Sequence, residues 1–148
     1  AIEKKHANMK VDGQEMVKAI PSQMRQLFQN LISNSLKFTK EGVTPEISIT
    51  LRKIDGKEYH SDILNINQER EYCEIQLRDN GIGFNNEYAE KIFTLFQRLH
   101  TRNEYEGTGI GLAVCKKIVE NHSGYIEAGG TEGAGAVFTI LIPTNTDQ

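Results

Sequence analysis

The sequence predicts an α/β sandwich (α+β): a mixed, mostly antiparallel sheet with helices packed on one face. Three observations predict it. Residues 46–52 and 73–77 alternate apolar and polar side chains, with Ile47, Ile49 and Leu51 on one face of the first run and Cys73, Ile75 and Leu77 on one face of the second. That period of two marks half-buried strands. Residues 22–38 and 109–121 instead repeat their apolar positions at helical spacing. Residues 124–128 and 136–142 read as a hairpin of strands, with Gly129-Gly130 and Gly133 in its connection. Strands that come mostly as hairpins, with helices interspersed, fit a sandwich better than a doubly wound parallel sheet.

In order along the chain, residues 8–11 and 16–19 look like short strands joined by a turn at Asp12-Gly13. Pro21-Ser22 starts the first long helix, with Ser22 as its N-cap. Leu27, Phe28, Leu31, Ile32, Ser35 and Leu36 carry its apolar face to about Phe38, and Lys40-Glu41-Gly42 stops it. The polar residues 53–71 read as a long, solvated hairpin connection. Residues 79–83 form a glycine-punctuated turn, residues 87–96 a helix and residues 97–108 a polar loop. The second long helix presents Ile110, Val114, Ile118 and Val119, and Pro143 closes the domain.

The 148 residues suit a single domain, 1–148, with one core. A net charge of −3, from 17 basic and 20 acidic residues, lacks the basic excess of a general nucleic-acid binder. Cys73 and Cys115 lie in apolar runs with neither a CxxC partner nor a His at metal spacing, and read as buried thiols of a reducing cytosol. No apolar run reaches membrane-span length, and the start of the chain is polar and charged rather than a signal peptide. The expectation is a cytoplasmic domain with no direct membrane contact. Residues 1–7 read as the remnant of an upstream linker, which leaves open whether the parent protein is soluble or membrane-anchored.

Four pieces carry candidate chemistry. Asn30, Asn34 and Lys37 line one stripe of the first helix at the border of its apolar face, either a cleft lining or an ordinary solvated stripe. Asp79-Asn80-Gly81-Ile82-Gly83 ends a buried strand, where a carboxylate can accept from an exocyclic amine and glycines let the backbone approach a flat ligand; it is also good turn chemistry. Gly107-Thr108-Gly109-Ile110-Gly111-Leu112 precedes a helix whose free N–H groups suit an anion, though the spacing is neither a dinucleotide fingerprint nor a P-loop. Gly133-Ala134-Gly135-Ala136-Val137-Phe138 leads into the last strand and reads singly as a glycine-rich hairpin.

Taken in order, these four resemble the ATP-binding catalytic domain of sensor histidine kinases, part of the gyrase, heat-shock chaperone, histidine kinase and mismatch-repair (GHKL) ATPase superfamily. The resemblance spans about residues 11–143. It includes Asn30-Leu31-Ile32-Ser33-Asn34-Ser35-Leu36-Lys37-Phe38 as an Asn box and Ile92-Phe93-Thr94-Leu95-Phe96-Gln97-Arg98-Leu99 as a Phe box. The Phe box and the run Glu104-Tyr105-Glu106-Gly107-Thr108-Gly109 look most like phytochrome-like or soluble-sensor kinases.

The resemblance implies a Bergerat-type fold, ATP and Mg²⁺ as cofactors, and transfer of the γ-phosphoryl group to a histidine on a separate dimerisation domain, with a response regulator downstream. It implies that Asn34 ligates Mg²⁺, that Lys37 meets phosphate and that Phe38 packs near the nucleotide. Asp79 would accept from the adenine amine, Gly81 and Gly83 with Ile82 would admit the purine, and Phe93 would belong to the site. Arg98 would reach the γ-phosphate and act with Asn34 in catalysis. Residues 97–108 would form the ATP lid, which Gly107, Gly109 and Gly111 would let fold over the phosphates, with Thr108, Ile110 and Leu112 also at the nucleotide. Thr139 would place a hydroxyl near the adenine, or serve simply as a β-branched strand residue.

Asn30 stands where gyrase-like ATPases carry a glutamate base, and an amide cannot take a proton from water at neutral pH. That disfavours the alternative of a nucleotide-gated ATPase clamp; a serine kinase of the same superfamily also stays open. Ser35 stands where the family commonly has Ala, a small-for-small change of little expected consequence. None of His6, His60, His100 and His122 sits before an acidic residue on a long helix, so the isolated chain is expected not to phosphorylate itself.

Overall fold

A computed structural model describes residues 8–13, 19–62, 64–84, 91–93 and 109–144. Among the described residues, β1 (Asn8–Asp12), β2 (Glu46–Asp55), β3 (Glu71–Asp79), β4 (Tyr125–Thr131) and β5 (Gly135–Pro143) form one sheet in the order β1-β2-β3-β5-β4. Among the described residues, the β1–β2 pair alone is parallel and the other pairs are antiparallel. Two long helices, α1 (Pro21–Lys37) and α2 (Gly109–Asn121), pack together on one face. The architecture is the mixed, mostly antiparallel sandwich that the strand and helix periods predict.

Alternation sorts the sheet's side chains between two faces. Ile47, Ile49, Cys73, Ile75, Leu77, Phe138, Ile140 and Ile142 face the helices and meet Leu27, Leu31 and Leu36 of α1 and Cys115, Ile118 and Val119 of α2 in one core. The other face carries Ile54, Tyr72 and Leu141. Neither helix is long and apolar enough to cross a membrane, among the described residues.

Several sequence expectations change. Residues 8–12 are a strand, but it pairs in parallel with β2 (Met9 opposite Ile47) rather than in a hairpin with its own neighbours. Of the second expected strand, Ala19 is coil and the rest lies outside the described residues. The N-cap of α1 is Ile20, not Ser22, because Pro21, with its fixed φ and missing N–H, takes the first helical position. Residues 53–55 and 71 extend β2 and β3, and the remaining connection is not simply solvated. Gly56–Glu58 forms a short 3₁₀ turn closed by an Asp55/Glu58 capping box. Beyond it, Tyr59 and Ile66 pack on Tyr72 and Leu141. Tyr59 and Ser61 both donate hydrogen bonds to Glu127 of β4, so the connection covers part of the second sheet face. Residues 91–93 are a 3₁₀ turn, and the rest of the expected helix over 87–96 lies outside the described residues.

Candidate functional site

The site gathers at the C-terminal half of α1. Asp79 closes β3 there, and three donors converge on its carboxylate. Oδ1 accepts the backbone N–H of Gly81 at 2.9 Å and of Ala136 at 3.2 Å. Oδ2 accepts the hydroxyl of Ser35 at 2.7 Å. Ser35 is buried, whereas Asp79 keeps part of its surface open. Sequence reasoning judged Ser35 of little consequence and gave Ala136 no role of its own. Ser35 was legible as a hydroxyl on the apolar face, one residue from Asn34. Ala136 contributes its backbone N–H, for which no side chain signals.

The turn after Asp79 is held from both sides. Ile82 N–H donates to the carbonyl of Phe38, the C-cap residue of α1, at 2.9 Å, and the Ile82 carbonyl accepts from Gly133 at 2.6 Å. Asn80 turns back, its Oδ1 accepting Glu46 N–H at 2.8 Å and its Nδ2 donating to the Thr44 carbonyl at 3.1 Å. Gly81 and Gly83 were expected to leave room for a purine. A Cβ at Gly81 would lie 2.3 Å from the Phe38 carbonyl oxygen, and one at Gly83 would lie 2.1 Å from that of Thr131. The chain's own backbone requires these glycines.

Asn34 follows Asn30 by one helical turn. Its Oδ1 is buried and has no hydrogen-bond partner among the described residues. Folded proteins seldom leave such an atom unpaired unless a ligand, ion or water completes it. Asn30 points toward α2, its Nδ2 donating a long 3.5 Å bond to the carbonyl of Gly111. Cys115 packs one turn further along, its thiol 3.8 Å from the Leu27 carbonyl, and burial pushes that thiol up to about 12. The start of α2, whose first N–H groups have no partner within the helix itself, thus stands beside Asn30. Lys37 is exposed and Phe38 half-buried at the helix end.

Other expected site residues are placed elsewhere. Thr139 pairs with Gln76 and Glu127, putting its side chain on the sheet face opposite the helices, where Gln76 Nε2 donates to it at 3.4 Å. It lies apart from Asp79 because Phe138 and Ile140 take the inward positions of β5. Phe93 is buried edge-on against Phe138, ring centroids 6.1 Å apart, and Leu112 is likewise in the core. Arg98, Gly107, Thr108 and the expected lid over 97–108 lie outside the described residues, as do the side chains at Gly109 and Ile110.

Residues 19–146 match the family model of the histidine kinase-, DNA gyrase B-, and HSP90-like ATPases. The chain belongs to this ATPase family. It is 42% identical to cyanobacterial phytochrome A of Nostoc sp. over 93% of its own length and 16% of the relative's. It is 40% identical to the phytochrome-like protein Cph1 of Synechocystis sp., over 96% of the chain and 17% of that protein. The chain therefore spans about a sixth of the length of these curated relatives. Among solved structures, the nucleotide-free catalytic domain of the histidine kinase ThkA superposes with a TM-score of 0.70 at 26% identity, covering 97% of this chain and 82% of that one. The phytochrome-like character read from the Phe box agrees with these relatives.

Proposed function

We propose that this domain binds Mg-ATP and delivers the γ-phosphoryl group to a histidine on a separate dimerisation domain, within a two-component signalling pathway that ends on a response regulator. The observation that carries the reading is the buried Oδ1 of Asn34, without a partner among the described residues and one residue from the Ser35 that grips Asp79. One helix thereby addresses both ends of a nucleotide.

The residues present fit the metal. Asn34 offers a neutral, hard oxygen, the donor type Mg²⁺ takes, and a triphosphate brings the negative charge. When bound, Mg²⁺ would neutralise charge on the phosphate oxygens. Asp79, acceptor-only when ionised, favours an amine on the purine and repels a carbonyl there, a discrimination worth about 1.5–3 kcal/mol. Lys37 and the N–H groups at the start of α2 hold phosphate oxygens. Arg98 steadies charge during transfer. Asn30, an amide already directed at Gly111, supplies no base for water, so the phosphoryl group waits for a supplied nucleophile.

Among the described residues, His122 is a poor acceptor. His122 has both ring nitrogens engaged, with Ile118 and Ile20. The test supplies the cognate dimerisation domain in trans with γ-labelled ATP. Acid-labile label on that domain's histidine, and none on this chain alone, is expected. Rapid steady-state hydrolysis without transfer, or no Mg-dependent ATP binding in calorimetry, overturns the reading.

A further inference from the structure

We propose that Ser35 is a positioning residue for purine recognition, its hydroxyl setting the plane of the Asp79 carboxylate and so the preference for a 6-amino purine. The proposal rests on the reading of Asp79 as the acceptor of the purine amine.

An ionised carboxylate has about four acceptor positions. Two on Oδ1 are taken by the N–H groups of Gly81 and Ala136. Both donors act on the same oxygen, and the last side-chain torsion of an aspartate is broad. Two bonds to one oxygen tolerate a range of that torsion, which moves both oxygens of the planar carboxylate together. Ser35 removes that freedom by donating to Oδ2 at 2.7 Å from a different element, the body of α1. One acceptor position then remains on Oδ2, and its direction is set. Holding a recognition group in place before the ligand arrives lowers the ordering cost of binding.

Ser35 is also buried next to Asn34, so the group that orients the carboxylate and the group with the unpaired oxygen share one stretch of helix backbone. An alanine here keeps the helix and the packing while deleting the third donor. The change from the family's usual small residue, read from sequence as inconsequential, therefore has a chemical effect.

The test measures dissociation constants of ATP and of purine riboside triphosphate, which lacks the 6-amino group, for the wild type, Ser35→Ala and Ser35→Cys. The wild type should prefer ATP. In Ser35→Ala that preference should shrink about fivefold, the loss of one charge-assisted hydrogen bond's orientation, with the analogue's own affinity unchanged within about twofold. Ser35→Cys, similar in size with a weaker donor, should fall between. Equal weakening of both nucleotides marks a general packing role and overturns the proposal, as does a preference unchanged in Ser35→Ala. A wild type that binds both nucleotides equally removes the reading of Asp79 together with the proposal, an outcome distinct from the other two.

Discussion

The backbone N–H of Ile20 donates to Nε2 of His122 at 3.0 Å, across 102 positions of sequence. The other ring nitrogen, Nδ1, lies 2.8 Å from the carbonyl of Ile118. A carbonyl only accepts and an amide N–H only donates, so the ring proton resides on Nδ1. One imidazole therefore joins the N-cap of α1 to the last turn of α2.

His122→Ala removes both bonds and strands the Ile20 N–H, which sits ahead of a proline that has none. A loss of about 1–2 kcal/mol in urea unfolding is expected, with the ATP-to-analogue preference unchanged. An unaltered midpoint would show that water replaces the ring at no cost.

Asp79→Asn should fold and fail to bind. The amide oxygen can keep the N–H groups of Gly81 and Ala136, and the hydroxyl of Ser35 can reverse to accept from the new NH₂. The remaining N–H then faces the purine amine, donor against donor. Stability within about 1 kcal/mol of wild type and at least about tenfold weaker ATP binding are expected by calorimetry. Near-normal affinity would remove Asp79 from the recognition step.

Asn34→Ala should separate stability from function in the opposite sense. Deleting a buried oxygen that has no partner among the described residues, and adding a better helix former, leaves the nucleotide-free domain at least as stable, within about 0.5 kcal/mol. The increment that Mg²⁺ adds to ATP affinity should disappear. Retention of that increment assigns the metal to other residues.

Gly135→Ala tests the backbone that delivers the Ala136 N–H. Gly135 has φ +110°, and a Cβ there would lie 2.0 Å from the Asp79 carbonyl oxygen. Left-handed strain and the clash together should cost at least about 2 kcal/mol, read from thermal unfolding, with ATP affinity falling alongside.

Alkaline pH should unfold the domain through groups held neutral. Burial pushes the Cys115 thiol from 9.0 up to about 12 and the Tyr72 hydroxyl from 10.0 up to about 12. Burial, with the Glu127 carboxylate beside it, raises Tyr59 as well. Each folded value lies above the unfolded one. The stability these groups carry is therefore whole below about pH 9, declines as pH rises through the unfolded values, and is lost on passing about 12. Urea midpoints measured across that window should fall, and less steeply in Cys115→Ala and in Tyr72→Phe.

Much of this was legible in the chain because its signals are local. Asp79 at a strand end and the Asn30–Asn34 stripe follow from periods of 2 and 3.6. The partner of β1 was not legible, since all five of its residues are exposed and each pairs with a β2 residue 38 positions away. Parity could have placed Thr139, because Phe138, Ile140 and Ile142 claim the inward positions of β5. Tyr59 and Ile66 lie in a stretch without period, so only the sheet that receives them reveals their burial. Phe93 and Leu112 belong to motifs associated with the nucleotide, yet their size and apolarity send them to the core.

Helix α1 is about 25 Å long and is fastened at both ends. Ile20 is tied to α2, Ser35 to the strand that ends in Asp79, and the carbonyl of Phe38 to the following turn. A tug on the backbone just ahead of Pro21 would load the two helices as one body, and tilting that body would move the amide of Asn34 and the carboxylate of Asp79 in concert. A rod fastened in this way would act as a lever between its first turn and its far end.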